Sequence, residues 1–274
     1  MSRDDLDFWR QSLAGWAIPD RILAQAPEPP WTLPPNLFAN RADEQLERRE
    51  SLSLTRAAEA LRPSGTVLDV GAGAGAASLP LAEWATEFVA VDGDAAMLEM
   101  IRPRAAALER PLLTIEGEWP SVANKTPTCD VAVCSHVLYN VPDLQPFVVA
   151  LNDRARRRVV IEITAKHPAG TINPLWERFH ALRRPQVPTW EDAMAAITAS
   201  GVKANVEHEF RAVGRPRSGS FDDLVAWTRR RLCLTADRDR EVVDALADIG
   251  VDPGCPETWS LRPAELVILW WDRG

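Results

Sequence analysis

The residues best suited to chemistry form a glycine-rich stretch, Val67-Leu68-Asp69-Val70-Gly71-Ala72-Gly73-Ala74-Gly75. Glycines at the end of a strand let backbone N–H groups approach a ligand because no Cβ intervenes. An Ala-rich helix that starts there would add the positive end of its dipole. Asp92 ends the next apolar run, where a carboxylate can accept both hydroxyls of a ribose. This pattern predicts a nucleoside-type ligand at the carboxyl ends of parallel strands.

Two ligand classes compete for this stretch. The run from Gly71 to Ala76 also satisfies G-x-G-x-x-A, a pattern typical of dinucleotide sites. A dinucleotide carries a pyrophosphate, which the carboxylate of Asp69 would repel. That carboxylate suits a ligand with a cationic amino group or a sulfonium. Two other functions stay open for this stretch: an NAD(P)-dependent oxidoreductase and a cofactor-binding protein without catalysis.

The sequence resembles the class I S-adenosylmethionine-dependent methyltransferases from about Thr66 to Thr164, with a looser fit towards the C-terminus. The glycine-rich stretch is similar to the first motif of that family, and Val91-Asp92-Gly93-Asp94 is similar to the second. The resemblance implies S-adenosylmethionine as the cofactor. It also implies how the cofactor is held: Asp69, Gly71, Ala72 and Gly73 at the methionine end, and Asp92 and Gly93 at the ribose.

Two further pairs of residues follow from the same resemblance. Gly117-Glu118-Trp119 comes after the third predicted strand, where Glu118 would accept from the adenine amino group and Trp119 would pack on the ring. Ser135-His136 comes after the fourth predicted strand, where the family often places small or polar residues that line the methyl site. Ser135 is therefore counted with the cofactor site.

Candidate catalytic residues are His136 and Tyr139. An imidazole titrates near pH ~6.5 and can take a proton from a hydroxyl at neutral pH, although a structural histidine is the alternative. Tyr139 would position an acceptor or pack in the core. Glu162 lies inside the fifth predicted strand, where a carboxylate is costly unless it is paired. The candidates for binding an anionic acceptor group are Arg211, Arg215 and Arg217, which follow the sixth strand.

Strands alternate with helices along most of the chain, which predicts a parallel sheet. We expect an α/β fold with a doubly wound, mostly parallel seven-stranded sheet, helices on both faces and a final antiparallel strand beside the sixth. Helices are predicted from Asp43 to Arg62, from Asp94, from Asp143, from Thr189, from Ser220 and from Asp237. The strands are predicted at 66–70, 88–92, 112–116, 130–134, 159–164, 202–210 and 266–271.

The chain divides into an N-terminal helical lid or acceptor-binding segment, residues 1–62, and a Rossmann-like methyltransferase domain, residues 63–274. Insertions are predicted at 165–190 and 211–262. The N-terminal tryptophans Trp9, Trp16 and Trp31 are expected to form acceptor walls, together with Trp176 and Phe179 of the first insertion. Cations from Arg154 to Arg158 are expected to end the helix that follows the fourth strand.

Composition limits the classes of partner. The chain has 274 residues with 46% hydrophobic and 26% charged content, and its net charge of −8 disfavours nucleic acid. It has no apolar run of the ~18 residues that a membrane span needs, and residues 1–10 lack the apolar stretch of a signal peptide, so we expect a cytoplasmic protein. The four cysteines form no CxxC pair and are read as buried apolar residues; no metal site is predicted. The predicted activity is methyl transfer to a small or medium organic acceptor; the oligomeric state is left open.

Overall fold

A seven-stranded sheet forms the centre of the molecule, with the strand order β3-β2-β1-β4-β5-β7-β6. The computed structural model describes residues 4–31, 35–48, 51–210, 220–261 and 264–273. Strands β1 to β5 pair in parallel, and β7 is antiparallel to both β5 and β6. The predicted fold class is confirmed. The strands are β1 Gly65–Val70, β2 Ala85–Asp92, β3 Leu112–Glu116, β4 Cys129–Ser135, β5 Ala155–Thr164, β6 Asn205–Phe210 and β7 Glu265–Asp272.

Ten α-helices lie within the described residues, and several begin at the residues that the sequence indicates. The Asp94 side chain accepts from the N–H of Ala96, and capping boxes start two later helices at Thr189 and Ser220. The helices are α1 Asp4–Ala14, α2 Asp20–Leu23, α3 Pro35–Arg48, α4 Leu52–Leu61, α5 Ala95–Ala107, α6 Leu144–Arg154, α7 Asn173–His180, α8 Trp190–Ala199, α9 Phe221–Arg231 and α10 Asp239–Asp248. None of the helices described is long and apolar enough to cross a membrane.

Apolar side chains leave the sheet in alternation and form one core on each face. Leu68 and Val70 of β1 join the core beneath α6 and α8, whereas Val67 joins the core beneath α4 and α5. A third apolar cluster is made by α2, α7, α9 and α10, and it includes Ile22 and Trp176. The N-terminal segment and the two insertions thus share a core of their own.

The stretch after β1 differs from its prediction. Residues 71–84 hold turns and one short 3-10 helix at Leu79–Leu81, where an Ala-rich α-helix was expected. Gly71, Gly73 and Gly75 have φ values of +72°, +53° and +89°, which a right-handed helix cannot use. Pro80 also lacks an N–H group. The glycine turn is therefore not followed by a helix dipole.

Two other predicted boundaries are wrong. The helix expected over residues 43–62 is two helices, because the hydroxyl of Ser51 accepts from the N–H of Leu54 and starts α4 anew. Arg156 to Arg158 lie in β5 and do not end α6. Their side chains are held across the sheet: Arg156 binds Asp130, and Arg158 lies over Trp270 at 4.2 Å from the ring centroid.

The N-terminal tryptophans differ in their surroundings. Trp9 is fully buried and donates from its indole to the carbonyl of Val141 at 2.8 Å. Trp16 is also buried and donates to the carbonyl of Val187 at 2.7 Å. Trp31 is 61% exposed. The first two therefore anchor the N-terminal segment to loops of the sheet domain.

We expect Leu68→Ala to lower the free energy of unfolding by about 2–5 kcal/mol, because truncation of a buried leucine leaves a cavity. Leu68 is fully buried in the central strand β1, whereas Leu113 in the edge strand β3 is 41% exposed. Urea unfolding of both leucine-to-alanine variants checks this. Equal losses for the two variants would contradict the assigned core.

Candidate active site

The candidate site lies at the carboxyl edge of the sheet, where β1, β2, β3 and β4 end side by side. Asp69 lies in β1 and Gly71 follows it, Asp92 ends β2, Glu118 follows β3 and Ser135 ends β4. Parallel pairing brings these strand ends to one edge, which is where ligands bind in open α/β sheets. The register places Glu162 of β5 opposite Ser135.

Glycine is required where the chain leaves β1. A Cβ on Gly71 would lie 2.3 Å from Cγ2 of Val137, in addition to the strain of its positive φ. The N–H groups of Gly71 and Ala72 both donate to the carbonyl of Val91, at 2.9 and 3.1 Å. The turn is thus folded back onto β2 and packed against the loop that follows β4.

The carboxylate of Asp92 ties this turn to β2. Its Oδ2 accepts from the N–H of Gly73 at 2.8 Å, and its Oδ1 accepts from the N–H of Asp94 at 3.0 Å. A carboxylate oxygen has two lone pairs, so each oxygen can accept one more hydrogen bond. Asp92 can therefore hold two hydroxyls while it stabilises the turn.

Asp69 is a buried carboxyl with one oxygen that lacks a partner. It is 1% exposed; its Oδ2 accepts from the hydroxyl of Ser78 at 2.5 Å, and its Oδ1 has no hydrogen bond. Burial raises the pKa of Asp69 to about 7, against the lowering effect of the Ser78 hydroxyl. A buried acceptor without a donor fits a ligand that brings an N–H group or a positive charge.

Glu118 and Trp119 have different surroundings although they are neighbours. Glu118 is exposed at the edge of the site, and its Oε1 lies 2.4 Å from the position of a Cβ on Gly93. Trp119 is 9% exposed and donates from its indole to the carbonyl of Phe147 at 3.2 Å. Trp119 thus joins the core beneath α6, and its contact with a ligand ring stays a prediction.

A polar group surrounds Glu162, which is 3% exposed. Its Oε2 accepts from the Ser53 hydroxyl at 2.6 Å, and its Oε1 accepts from the Ser135 hydroxyl at 3.2 Å. Nε2 of His136 lies 3.2 Å from Oε1, and Nη2 of Arg41 lies 3.7 Å from the same oxygen. We call these five residues the Glu162 cluster. Arg41, Ser53, Ser135 and Glu162 of this cluster line a cavity that opens to solvent.

Sequence reasoning missed Arg41 and Ser53. Arg41 lies on α3, and its guanidinium reaches the sheet edge and also lowers the pKa of Asp69. Helix α3 is held against α5 by Arg104, which binds Asp43 at 2.7 Å. The one available signal was Glu162 itself, because a carboxylate inside a strand needs donors from another element.

Tyr139 has no contact with the Glu162 cluster among the interactions described. Its hydroxyl donates to the carbonyl of Thr164 at 2.8 Å, and its ring packs beside Trp9 and His167. Burial raises its pKa above the usual range. The geometry favours packing over acceptor positioning, the two roles left open by the sequence.

The remaining candidates are placed as follows. Arg211, Arg215 and Arg217 lie outside the described residues. Among residues that are described, no group of His, Cys, Asp or Glu side chains is arranged to hold a metal ion. Cys129, Cys134 and Cys233 are buried as expected, and Cys255 is partly exposed.

Comparison with known proteins identifies a family. Residues 42–190, more than half of the chain, match the family model described as a methyltransferase domain. An uncharacterized protein of Haemophilus influenzae is 24% identical over 213 residues, which is 75% of each chain.

Solved structures share the fold at low identity. A putative sarcosine dimethylglycine methyltransferase from Galdieria sulphuraria is 14% identical, with 85% of this chain and 86% of that chain covered and a TM-score of 0.52. A magnesium protoporphyrin IX methyltransferase from Synechocystis PCC 6803 with bound SAH is 14% identical, with coverage of 87% and 84% and a TM-score of 0.49. The similarity to the Galdieria sulphuraria structure, with its TM-score of 0.52, supports the fold.

We expect the Asp69 carboxyl to make the protein less stable as the pH rises. Its pKa of about 7 exceeds that of an unfolded aspartate, so the folded state keeps a proton that the unfolded state loses. The stabilisation from protonated Asp69 is complete below pH ~4 and is lost by pH ~7. The free energy of unfolding falls by roughly 4 kcal/mol in total over this range.

Urea unfolding at pH 5 and pH 8 measures this effect. Asp69→Asn should flatten the pH dependence, and Ser78→Ala should enlarge it because the donor that favours the charged form is lost. Identical pH dependence in wild type and Asp69→Asn would contradict the raised pKa.

Proposed function

The chain belongs to the methyltransferase domain family, and from that premise we propose that it transfers a methyl group from S-adenosylmethionine to a small or medium organic acceptor. When bound, S-adenosylmethionine supplies an electrophilic methyl group on a positively charged sulfur. The observation that carries the proposal is Asp69: a buried carboxyl with an unpartnered oxygen, beside a glycine turn that tolerates no side chain.

We assign the cofactor contacts to residues along the sheet edge. Asp69 and the turn from Gly71 to Gly73 would hold the methionine end. Asp92 would accept from the ribose hydroxyls, with Gly93 leaving room, and Glu118 would accept from the adenine amino group. Ser135 would line the methyl site. Trp119 would support the adenine region from the core and contact the ring through its edge.

The electrostatics of the edge favour this cofactor over a dinucleotide. Asp69 places a carboxyl group two residues before the glycine turn, where it would repel a pyrophosphate bound at that turn. Dinucleotide sites bind the pyrophosphate at a helix N-terminus, and residues 71–84 form no α-helix here. An anionic ligand would therefore meet repulsion without the compensating dipole.

The acceptor would enter beside the Glu162 cluster. The cavity there is lined by Arg41, Gln45 and Ser53 of the N-terminal segment as well as by β4 and β5. The net charge of −8 disfavours a nucleic acid as the acceptor. We therefore assign acceptor binding within residues 1–62 to α3 and α4, because Trp9 and Trp16 are buried anchors.

The methyltransferase domain would span residues 63–274, with the insertions at 165–190 and 211–262 as part of the acceptor side. A cytoplasmic location is part of the proposal and rests on the sequence alone. Transfer of labelled methyl from S-adenosylmethionine to a component of cell extract would separate an enzyme from a cofactor-binding protein without catalysis.

We expect S-adenosylhomocysteine, and neither NAD nor NADP, to stabilise the protein against heat. A ligand at a hundred times its Kd adds about 2.7 kcal/mol to the stability of the folded state. Asp92→Ala should raise the Kd about 10–100-fold, since it removes hydrogen bonds to a charged acceptor. Asp94→Ala is the control: it should weaken the start of α5 and leave the Kd unchanged.

Differential scanning fluorimetry and titration calorimetry measure both effects. Stabilisation by NAD in place of S-adenosylhomocysteine would overturn the proposed cofactor. An unchanged Kd in Asp92→Ala would remove Asp92 from the ribose site.

We expect Gly71→Ala to abolish cofactor binding, because its Cβ collides with Val137 and forces the turn to move. Gly250→Ala is the matched control, since Gly250 has a φ of +89° with no atom within 4 Å of the added Cβ. Both substitutions cost about 1–2 kcal/mol of backbone strain. Gly71→Ala carries the collision with Val137 in addition, so circular dichroism checks that it folds before calorimetric titration with S-adenosylhomocysteine compares the two variants. Equal binding by both would contradict the role of the turn.

A further inference from the structure

Four donors converge on the buried carboxylate of Glu162. Hydroxyls of Ser53 and Ser135, the guanidinium of Arg41 and Nε2 of His136 all lie within 3.7 Å of its oxygens. An ionised carboxylate only accepts hydrogen bonds, so this arrangement fits the charged form. Four polar partners around one buried carboxylate are unusual for a residue whose role is packing alone.

His136 is held to Glu162 through its main chain as well as its ring. Its backbone N–H donates to the carbonyl of Glu162 at 2.7 Å. Its φ is +60°, a left-handed conformation that is uncommon outside glycine and that persists where surrounding contacts enforce it. The side chain keeps 22% of its surface exposed. The ring is thus fixed in place, and part of its surface stays accessible beside Ser135, which lines the cavity.

We infer the form of the imidazole from the 3.2 Å separation between Nε2 and Oε1 of Glu162. A neutral ring with its proton on Nε2, the nitrogen nearest that carboxylate, carries its lone pair on Nδ1. The carboxylate also favours the imidazolium that forms when Nδ1 takes a proton. This combination of a fixed tautomer and a stabilised cation is what a general base requires.

We propose that Glu162 is a positioning residue that makes His136 the general base, and that the acceptor is a hydroxyl compound. This inference rests on the proposed function. The acceptor oxygen forms a bond to the methyl carbon while the carbon–sulfur bond breaks, and the electron pair of that bond stays on sulfur. The hydroxyl proton goes to Nδ1 of His136.

The chemistry of acceptors explains the choice of a hydroxyl. A phenol titrates near pH ~10 and an alcohol higher still, so either must lose a proton during transfer near neutral pH. A carboxylate is already anionic, and a neutral amine attacks with its own lone pair. A base held by a buried carboxylate therefore indicates methylation of oxygen in a hydroxyl group.

Other charges face the pair and affect its titration. Arg41 of α3 lies near the same Glu162 oxygen and opposes the imidazolium. Asp69 of β1 interacts electrostatically with Arg41, and Glu209 of β6 accepts from the N–H of Leu52 beside Ser53. Loss of the Glu162 charge would leave the positive charge of Arg41 uncompensated. The titration midpoint of His136 should therefore fall by a large amount.

Nitrogen NMR of the ligand-free protein tests the pair without any turnover. The chain has four histidines, and His136→Ala identifies the His136 signals by difference. We expect the neutral ring to carry its proton on Nε2. In Glu162→Gln the titration midpoint of His136 should fall by about one to three pH units. A neutral ring protonated on Nδ1, or a midpoint that does not fall, would overturn the proposal.

Variants with matched changes sharpen the test. Glu162→Asp keeps the charge and should restore part of the midpoint shift, which a purely structural role would not do. Glu265→Gln is the control, because Glu265 forms the same kind of pair with His208 at 2.8 Å outside the site. It should leave the midpoint of His136 and the turnover unchanged. The tautomer is read in wild type, so the test survives a variant that fails to fold.

Turnover with labelled S-adenosylmethionine and a panel of catechols, primary alcohols and benzylamines tests the acceptor class. We expect label in hydroxyl compounds and a fall in kcat of about 10²–10⁴-fold in His136→Ala, with the Kd of S-adenosylhomocysteine unchanged. Label in amines alone would overturn the hydroxyl assignment. Failure of wild type to bind S-adenosylhomocysteine would instead refute the proposed function.

Discussion

Two carboxyl groups lie inside the central strands, and the cost of burying them organises the rest of the site. Glu162 is surrounded by donors from three other elements, α3, α4 and the end of β4. Asp69 has a single donor, Ser78, and an oxygen without a partner. Burial of a carboxylate is unfavourable unless hydrogen bonds or charges compensate. Both oxygens of Glu162 therefore have partners within the chain, whereas one oxygen of Asp69 has no hydrogen-bond partner.

The compensation of Glu162 explains why the N-terminal segment belongs to the site. Ser53 and Arg41 reach the sheet from α4 and α3, while Arg104 holds α3 against α5. Trp9 and Trp16 secure the earlier part of the segment through hydrogen bonds to loop carbonyls. The segment predicted as a lid is thus attached at several points, and its contribution to the site is polar.

Much of the fold could be predicted because its signals are local. Alternating apolar runs marked the strands, and Asp94, Thr189 and Ser220 marked helix starts that the structure confirms. The missing helix after Gly71 could not be read from alanine content, since backbone angles at the glycines overrule helix propensity. Arg156 and Arg41 depend on partners far along the chain, Asp130 and Glu162, which no local pattern reveals.

The raised pKa of Asp69 links ligand capture to proton exchange. Near neutral pH the buried carboxyl is divided between its two forms, and a cation placed beside it favours the charged one. In the proposed function, association of a cofactor whose cationic amino group or sulfonium lies beside Asp69 would therefore release a proton to the buffer. The heat of association would then vary with the ionisation enthalpy of that buffer.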